Sequence, residues 1–376
     1  MIPRIYLSPL REQLIQSSKI ILLFGPRQVG KTTLAQTVLK DFEGRVLEIN
    51  ADERTFRDVL SSQDLHRMKG LVGGYDLLFI DEAQRIPDVG INLKILHDGI
   101  PNLKLLVTGS SSFELAQRTR EALTGRTWTY IMLPIAITEL AKQNNDFELK
   151  RQLEEHMVFG MYPEVFAQPN HQMKQRYLQE LTSAYLYKDV LDLANLRHPD
   201  KLYDLLRLLA YQIGNEVSTN ELGRQLSMSK DTVENYISLL EQAFVIFRLR
   251  GFSRNLRKEV TKMNKVYFYD LGVRNTLIGD FNMLTSRPDV GKLWENFLIV
   301  ERKKRLTYNF DFTNTYFWRT YSQAELDYVE EGGGRLAGYE FKYQPRKINP
   351  PQSWLQTYPN ASFECISPDN YLDFVK

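Results

Sequence analysis

The fold of this 376-residue chain is decided by ten residues, Phe24-Gly25-Pro26-Arg27-Gln28-Val29-Gly30-Lys31-Thr32-Thr33. They fit the pattern G-x-x-x-x-G-K-[ST], in which Gly25 and Gly30 are the fixed glycines. The apolar run 19–24 in front of them has the composition of a buried parallel strand. Residues 33–40 behind them have helical propensity and no helix breaker. Strand, loop and helix N-terminus would present unpaired backbone N–H groups to a polyphosphate, so the stretch predicts an ATP or GTP site.

Each residue of the loop has a predicted contact with the nucleotide. Lys31 should reach the β and γ phosphates, and the Thr32 hydroxyl should bind Mg²⁺. A chance match in an ordinary βα turn is the competing explanation, and the strand in front of the loop argues against it. The predicted nucleotide contacts in the loop are Gly25, Pro26, Arg27, Gln28, Val29, Gly30, Lys31, Thr32 and Thr33.

Two later apolar segments end in polar residues that complete such a site. Residues 75–80 lead into Asp81 and Glu82. Asp81 is predicted to hold Mg²⁺ through water, and Glu82 to orient and polarise the attacking water. Residues 103–107 lead into a hydroxyl-rich turn containing Ser110, where a γ-phosphate sensor would lie. Because ligands gather at the carboxyl ends of parallel strands, these residues should share one site.

Length and composition define the class of protein. At 376 residues the chain should form two or three domains. Its hydrophobic content of 43% and charged content of 25% are typical of soluble globular proteins, and a net charge of +2 by itself predicts no partner. The single cysteine, Cys365, excludes an internal disulfide and fits a reducing compartment. No apolar run approaches the roughly 18 residues of a membrane helix, and the N-terminus lacks a signal-peptide core, so we expect a cytoplasmic protein without a membrane partner.

The chain resembles a known family over nearly its whole length. It is similar to the prokaryotic AAA+ ATPases that have a C-terminal domain of unknown function related to PD-(D/E)xK nucleases. The resemblance rests on the loop at 24–33 and on the segments Asp81-Glu82-Ala83, Thr108-Gly109-Ser110-Ser111, Leu123-Thr124-Gly125-Arg126, Leu133-Pro134, Gly160-Met161-Tyr162-Pro163-Glu164 and Tyr187-Lys188-Asp189-Val190. It implies an α/β fold with a P-loop AAA+ parallel sheet, a helical lid or bridge, a winged-helix module and a C-terminal restriction-endonuclease-like domain. The corresponding ranges are 1–137, 138–200, 201–250 and 251–376.

The resemblance also implies an arginine finger, often supplied by a neighbouring copy in a homo-oligomer. Arg118, Arg120 and Arg126 lie in the right part of the chain, and Arg126 matches the Gly-Arg pair of the family. An arginine that pairs with surface carboxylates is the alternative for Arg126.

Residues 201–250 have the spacing of helix-turn-helix elements. The third helix, however, contains Asp231, Glu234 and Glu241, which would repel a DNA groove. A structural or oligomerisation module is therefore an alternative to DNA recognition. Residues 248–265 are the densest basic run of the chain and either contact a nucleic-acid backbone or form solvated surface.

A second set of chemical groups lies near the C-terminus. Two strand-like runs flank the turn at residues 332–334, so we expect a hairpin. Period-2 alternation places Glu340 and Lys342 on one face of their strand. Asp327, on the other strand of the hairpin, can meet them there. Such a triad can bind Mg²⁺ and orient a hydrolytic water. It matches the D…(D/E)-x-K signature of PD-(D/E)xK nucleases, although an ordinary surface salt bridge is the competing explanation.

The helix before this hairpin offers a further acid. Glu295 is the predicted additional metal ligand, and Glu301 is its rival for that role. Together these observations predict an ATP-hydrolysing AAA+ protein that couples nucleotide state to a Mg²⁺-dependent, nuclease-like domain acting on DNA. The alternatives are a nucleotide-dependent switch with an inactive nuclease fold and a regulator that binds DNA through the winged helix.

Overall fold

The computed structural model describes residues 2–110, 123–185, 199–254, 263–345 and 348–376. It divides into two compact units. The first contains residues 1–134 together with 242–244, and the second contains residues 135–241 and 245–376.

The first unit is built on a parallel sheet. Its strands in the described chain are β1 (Ile20–Phe24), β2 (Val46–Asn50), β3 (Leu77–Asp81), β4 (Lys104–Gly109) and β5 (Thr127–Ile131), in the order β2-β3-β4-β1-β5. All neighbouring pairs are parallel. Strand β1 is buried along its whole length, as the continuous apolar run requires for a strand covered on both faces.

Helices connect these strands. They are α1 (Leu7–Gln16), α2 (Lys31–Leu39), α3 (Arg54–Leu60), α4 (Leu65–Val72) and α5 (Val89–Gly99), with a 3₁₀ turn at Ala83–Arg85. One core cluster joins alternate residues of β1, β3 and β4 to the apolar sides of α3, α4 and α5. Strand β5 pairs in parallel with β1, and its last residue, Ile131, lies opposite Phe24.

The second unit combines helices with a mixed sheet. Its helices are α6 (Ile137–Leu140), α7 (Asp146–Phe159), α8 (His171–Tyr185), α9 (Pro199–Tyr211), α10 (Thr219–Leu226), α11 (Lys230–Gln242), α12 (Leu271–Ile278), α13 (Val290–Tyr308), α14 (Gln352–Thr357) and α15 (Tyr371–Val375). Ser218 caps α10 by accepting a hydrogen bond from the backbone N–H of Glu221, as its residue type predicts. In the described chain, no helix is long and apolar enough to cross a membrane.

The sheet of the second unit runs across the expected boundary at residues 250 and 251. Its described strands are β6 (Glu216–Val217), β7 (Ile246–Gly251), β8 (Asn264–Phe268), β9 (Asn314–Arg319), β10 (Glu325–Gly332), β11 (Arg335–Phe341) and β12 (Ser362–Ile366). Their order is β12-β11-β10-β9-β7-β8-β6. Strand β7 pairs antiparallel with β8 and parallel with β9, so residues 201–250 and 251–376 share one sheet.

The hairpin expected around the glycines forms between β10 and β11. Gly333 and Gly334 have φ values of +57° and +76°, which favour glycine and allow the tight turn. The antiparallel register pairs Tyr328 with Tyr339, and this places Asp327 opposite Glu340.

Candidate functional site

The glycine-bearing loop after β1 is shaped by close backbone approach. Gly25 has a φ of +150°, and a Cβ there would lie 1.9 Å from the carbonyl oxygen of Met132. Gly30 has a left-handed φ of +91° where it precedes α2. Both positions therefore require glycine, and the loop leads directly into a helix N-terminus. That is the geometry in which backbone N–H groups bind phosphate.

Lys31 is the first residue of α2, and its side chain returns to the loop. Only 6% of the residue is exposed. Its ammonium donates to the carbonyl oxygens of Gly25 at 2.8 Å and Pro26 at 2.7 Å. The loop therefore holds a positive charge at the place where the phosphates of a nucleotide would bind.

The Asp81 carboxylate accepts hydrogen bonds from hydroxyl groups on two neighbouring elements, α2 and β4. The Thr32 hydroxyl donates to its Oδ2 at 2.8 Å, and the Thr108 hydroxyl donates to its Oδ1. The backbone N–H of Glu82 also donates to Oδ1, at 3.1 Å. Hydroxyl and carboxylate oxygens are the ligands that Mg²⁺ prefers, so Thr32 and Asp81 fit the ion that the loop predicts.

Glu82 follows at the end of β3 and is connected to β4 through Gln84. The Gln84 amide nitrogen donates to Oε2 of Glu82 and, at 2.9 Å, to the Ser110 hydroxyl. The amide oxygen of Gln84 accepts from the Ser110 backbone N–H at 3.2 Å. Glu82 itself has a left-handed φ of +54°. The structure therefore brings Lys31, Thr32, Asp81, Glu82 and Ser110 to the carboxyl ends of β1, β3 and β4.

In the second unit, three predicted residues meet on the β10–β11 hairpin. Asp327 Oδ2 accepts from the backbone N–H of Phe341 at 2.8 Å, and the Lys342 ammonium lies 2.6 Å from Glu340 Oε1. Burial, together with the nearby carboxylates of Glu295 and Glu340, raises the pKa of Asp327 to about 7, although Lys265 and the Phe341 N–H act in the opposite direction. Asp327 and Glu340 are thus two adjacent carboxyl groups beside a lysine.

Glu295, the predicted third acid, has other partners. Its Oε1 accepts from the Tyr267 hydroxyl at 2.6 Å and lies 3.3 Å from the Lys265 ammonium, and its Oε2 lies 3.2 Å from Lys292. Burial raises the pKa of Glu295, but the two lysines and the tyrosine together lower it below the usual value. Across the described ranges, no group of three His, Cys, Asp or Glu residues is arranged to hold a metal ion. The structure therefore does not add Glu295 to a ligand set with Asp327 and Glu340, because two lysines already neutralise it.

Glu301, the other candidate for the additional metal ligand, also has other partners. Its Oε1 lies 2.6 Å from the Lys304 ammonium, and its Oε2 accepts from the Ile137 backbone N–H at 2.7 Å. This pairing makes Glu301 a structural residue of the second unit.

Comparison with known proteins supports an AAA-type domain around this site. Residues 17–141 match a family model described as an AAA domain. Most of the first unit is therefore similar to AAA domains. Residues 150–284 and 290–353 match two further models, each described as a domain of unknown function, DUF8612 and DUF4143 respectively.

Similar proteins cover most of the chain. An uncharacterized protein of Mycobacterium tuberculosis is 29% identical over 335 residues, which are 87% of this chain and 71% of the relative. An uncharacterized protein of Methanocaldococcus jannaschii is 24% identical over 389 residues, covering 94% of this chain and 85% of the relative. The solved structure of a Walker-type ATPase of Pyrococcus abyssi is similar with a TM-score of 0.47 and 16% identity, over 74% of this chain and 96% of that one.

Arg126 lies beside β5 of the AAA domain and makes a bidentate ion pair. Its Nε donates to Asp98 at 2.8 Å and its NH2 group at 3.0 Å. The hydrogen bond from Arg126, aided by His97, lowers the pKa of Asp98 to about 2. This partner is the surface carboxylate of the alternative explanation, and the arginine-finger role stays a prediction. Arg118, Arg120 and Ser111 lie outside the described residues.

The basic run at 248–265 is extensively paired where the structure describes it. Arg248 bonds to Glu234 and Glu241 of the acidic helix α11, and Arg254 bonds to Glu331. Lys265 is buried and pairs with Glu295 and Glu325. These pairs reduce the positive charge available to a nucleic acid. Residues 255–262, which include Arg257, Lys258 and Lys262, and the family segment 187–190 lie outside the described ranges.

Sequence reasoning missed three residues of these sites. Gln84 bridges Glu82 and Ser110, and its only signal is its place two residues after Glu82. Arg4 donates to the carbonyl oxygens of Val29 at 2.7 Å and Leu133 at 2.6 Å, and a lone arginine so far from the loop gives no signal. Lys265 belongs to the basic run 248–265, and nothing in the sequence indicates its buried pairing with Glu295 and Glu325.

Proposed function

We propose that this chain is an ATP-hydrolysing switch that couples the nucleotide state of its AAA domain to the C-terminal part of the chain. The observation that supports this most directly is the convergence of Lys31, Thr32, Asp81 and Glu82 at one edge of the parallel sheet. A site of this kind needs a cation for the phosphates, oxygen ligands for Mg²⁺ and a carboxylate for water. Lys31 and Thr32 follow β1, and Asp81 and Glu82 lie at the end of β3, so the ends of two strands supply all three.

The roles follow from the chemistry of each group. Lys31 neutralises charge on the phosphates. Thr32 and Asp81 would hold Mg²⁺, which supplies positive charge to the phosphate oxygens when it is bound. Glu82 orients the attacking water and polarises it as a base. Gly25 and Gly30 allow the backbone to approach the phosphates closely.

Two substitutions separate binding from hydrolysis. Lys31→Ala removes the charge that faces the phosphates and should abolish binding of a fluorescent ATP analogue. Glu82→Gln keeps the shape but loses the base, so binding should persist while turnover falls by about 100-fold or more. Glu48→Gln, the same change at an exposed position of β2, is the matched control and should retain native turnover. Native turnover by Glu82→Gln would contradict the proposed role.

A second candidate activity is metal-dependent hydrolysis of DNA by the C-terminal residues. It is favoured by the placement of Asp327 opposite Glu340 with Lys342 beside them. The two carboxylates would bind a hard divalent cation, and the Lys342 ammonium would bond to the attacking water or to the developing charge on the phosphate. The alternative is an inactive nuclease fold. In that case the lysines around Glu295 neutralise the carboxylates in place of a metal ion.

DNA is the proposed partner of this second activity for two reasons. The sequence of elements α9, β6, α10, α11, β7 and β8, in which β8 pairs with both β6 and β7, supports a winged-helix module. In the sequence, the basic run 248–265 extends from the end of β7 to the start of β8, the stretch that corresponds to the wing of such a module. Glu234 and Glu241 of α11 pair with Arg248 of β7. These pairs favour contact between the remaining basic residues of the run and the DNA phosphate backbone over recognition of DNA bases by α11.

The test uses the full chain with Mg²⁺ or Mn²⁺, with and without ATP, on single- and double-stranded DNA. Asp327→Ala should remove cleavage and leave ATP hydrolysis intact, and Lys342→Ala should bind Mn²⁺ but lose most of the cleavage rate. Asp369→Ala changes an exposed aspartate and serves as the control. Calorimetric titration with Mn²⁺ accompanies the assay. If the wild-type chain cleaves no DNA and takes up no more Mn²⁺ than Asp327→Ala, the nuclease activity is excluded and the ATP-driven switch remains.

A further inference from the structure

We infer that Gln84 is a positioning residue for ATP hydrolysis, which holds the Glu82 carboxylate at a fixed place relative to the end of β4. The inference rests on the proposed ATPase function. It concerns a residue that no feature of the nucleotide-binding loop indicates.

Both the nitrogen and the oxygen of the Gln84 side-chain amide make hydrogen bonds. Its nitrogen donates to Glu82 Oε2 and to the Ser110 hydroxyl at 2.9 Å, while its oxygen accepts from the Ser110 backbone N–H at 3.2 Å. A primary amide is well suited to this position among neutral side chains, because it combines two N–H donors with an acceptor. Replacement by a carboxylate would remove the donors and place a negative charge against Glu82.

The backbone conformation next to Gln84 and the glycine that faces it allow these hydrogen bonds. Glu82 has a left-handed φ of +54°, and the 3₁₀ turn at Ala83–Arg85 follows at once. On β4, a Cβ at Gly109 would lie 3.2 Å from the Gln84 amide oxygen, so a larger residue there would press on the amide. A non-glycine residue held at positive φ is a costly conformation that persists only where surrounding contacts fix it.

The bridge has a direct consequence for Glu82. Its Oε2 is held by Gln84, whereas no residue in the described chain donates a side-chain or backbone hydrogen bond to its Oε1. Fixing one carboxylate oxygen defines the direction in which the other points. Because Ser110 directly follows β4, the strand next to β1, the bridge connects the base to the same edge of the sheet as the nucleotide-binding loop. Small misplacements of a catalytic group cost large factors in rate, so loss of the bridge should lower turnover without weakening nucleotide binding.

The experiment compares Gln84→Met, which keeps the shape without hydrogen bonds, with Gln84→Glu and Ser110→Ala. Steady-state hydrolysis gives kcat and KM, and titration of a fluorescent ATP analogue gives Kd. We expect kcat to fall about 10- to 100-fold in both Gln84 variants, with Kd within about threefold of the wild-type value. Gln36→Met, an exposed glutamine on α2, is the matched control and should retain native kcat.

A double-mutant cycle distinguishes positioning from general support of the fold. If Gln84 acts through Ser110, the losses of kcat in Gln84→Met and Ser110→Ala should be less than additive in the double variant, because both substitutions remove the hydrogen bond between the Gln84 amide and the Ser110 hydroxyl. An unchanged or increased kcat in Gln84→Met, or a loss of kcat matched by an equal loss of affinity, would overturn the inference. The wild-type rate, measured alongside, separates the two proposals. Hydrolysis by the wild-type chain with native kcat in Gln84→Met overturns only the role of Gln84, whereas a wild-type chain that hydrolyses no ATP overturns both.

Discussion

At the scale of single residues, His156 on α7 is a neutral imidazole enclosed by the second unit. It is 4% exposed, its ring lies 5.8 Å from that of Phe166, and its Nδ1 has no hydrogen-bond partner in the described chain. Burial lowers its pKa from 6.5 to about 4, with Lys304 and Lys174 acting in the same direction and Glu155 against them. Protonation must therefore oppose folding.

This residue should make stability depend on pH. The unfolded chain protonates His156 near pH 6.5 and the folded chain only near pH 4, so its contribution is present above pH 6.5 and is lost as the pH falls towards 4. Between pH 7 and pH 5 the wild-type second unit should lose about 2 kcal/mol more stability than His156→Phe. Urea unfolding followed by tryptophan fluorescence measures this, since Trp294, Trp318 and Trp354 all lie in the second unit. Equal losses in the two proteins would contradict the assignment.

At the scale of elements, the start of the second unit is fixed to α13 by a buried ion pair. Glu301 and Lys304 are 1% and 0% exposed, and their charged groups lie 2.6 Å apart. Glu301 accepts from the Ile137 N–H at 2.7 Å, and Lys304 donates to the Ile135 carbonyl at 2.9 Å. The pair therefore satisfies backbone groups of the segment that leads into α6.

Breaking one half of this pair should cost more than removing both halves. Glu301→Ala leaves the Lys304 ammonium buried without its counter-charge, which should destabilise the second unit by about 3–5 kcal/mol. Glu301→Gln combined with Lys304→Met keeps an acceptor for the Ile137 N–H and leaves no isolated charge, so its loss should be smaller than that of Glu301→Ala. Urea unfolding of the single and double variants measures the difference. A double variant less stable than Glu301→Ala would show that the charges themselves stabilise the fold.

Local signals in the sequence predicted some elements and not others. The strands β1, β3 and β4 follow from continuous apolar runs, and the β10–β11 hairpin follows from its glycine turn, because each signal lies within one segment. The parallel pairing of β7 with β9 joins residues more than 60 positions apart, and no local pattern specifies it. The same reason explains Gln84 and Lys265. Tertiary structure brings Ser110 to Gln84, and Glu295 and Glu325 to Lys265, whereas the residues of the nucleotide-binding loop at 24–33 are consecutive.

At the scale of the whole molecule, the continuous sheet of the second unit determines which parts of the chain can fold alone. Strand β7 pairs with β9 at Arg250 and Gly251, and Phe252 continues the pairing by donating to the Phe317 carbonyl at 2.7 Å. A fragment of residues 251–376 would lose nearly all of β7 and all of β6. It would expose the β9 edge, and unpaired edges of this kind favour aggregation.

The same fragment would also lose the partners of its buried polar groups. Asp270 accepts from the Met161 N–H at 2.7 Å, Asn275 donates to the Val158 carbonyl at 2.8 Å, and the Arg274 guanidinium donates to the Ala210 carbonyl at 2.8 Å. Each of these partners lies before residue 251. Groups that remain buried without them cost about 1–3 kcal/mol each, and more when charged, which together approaches the whole stability of a domain.

We therefore predict that residues 251–376 do not form a stable domain, whereas residues 135–376, which retain the complete sheet and these partners, do. Circular dichroism during heating should show a cooperative transition for 135–376 and a gradual or aggregating one for 251–376. A fragment that begins at residue 199 is the informative intermediate, because it restores β6, β7 and the Ala210 carbonyl but not Met161 or Val158. It should be less stable than 135–376, since Asp270 and Asn275 still lack their partners. A cooperative transition of 251–376 at the temperature of the longer fragment would mean that the sheet is not the unit of folding, and that the boundary expected at residue 250 separates two independent domains.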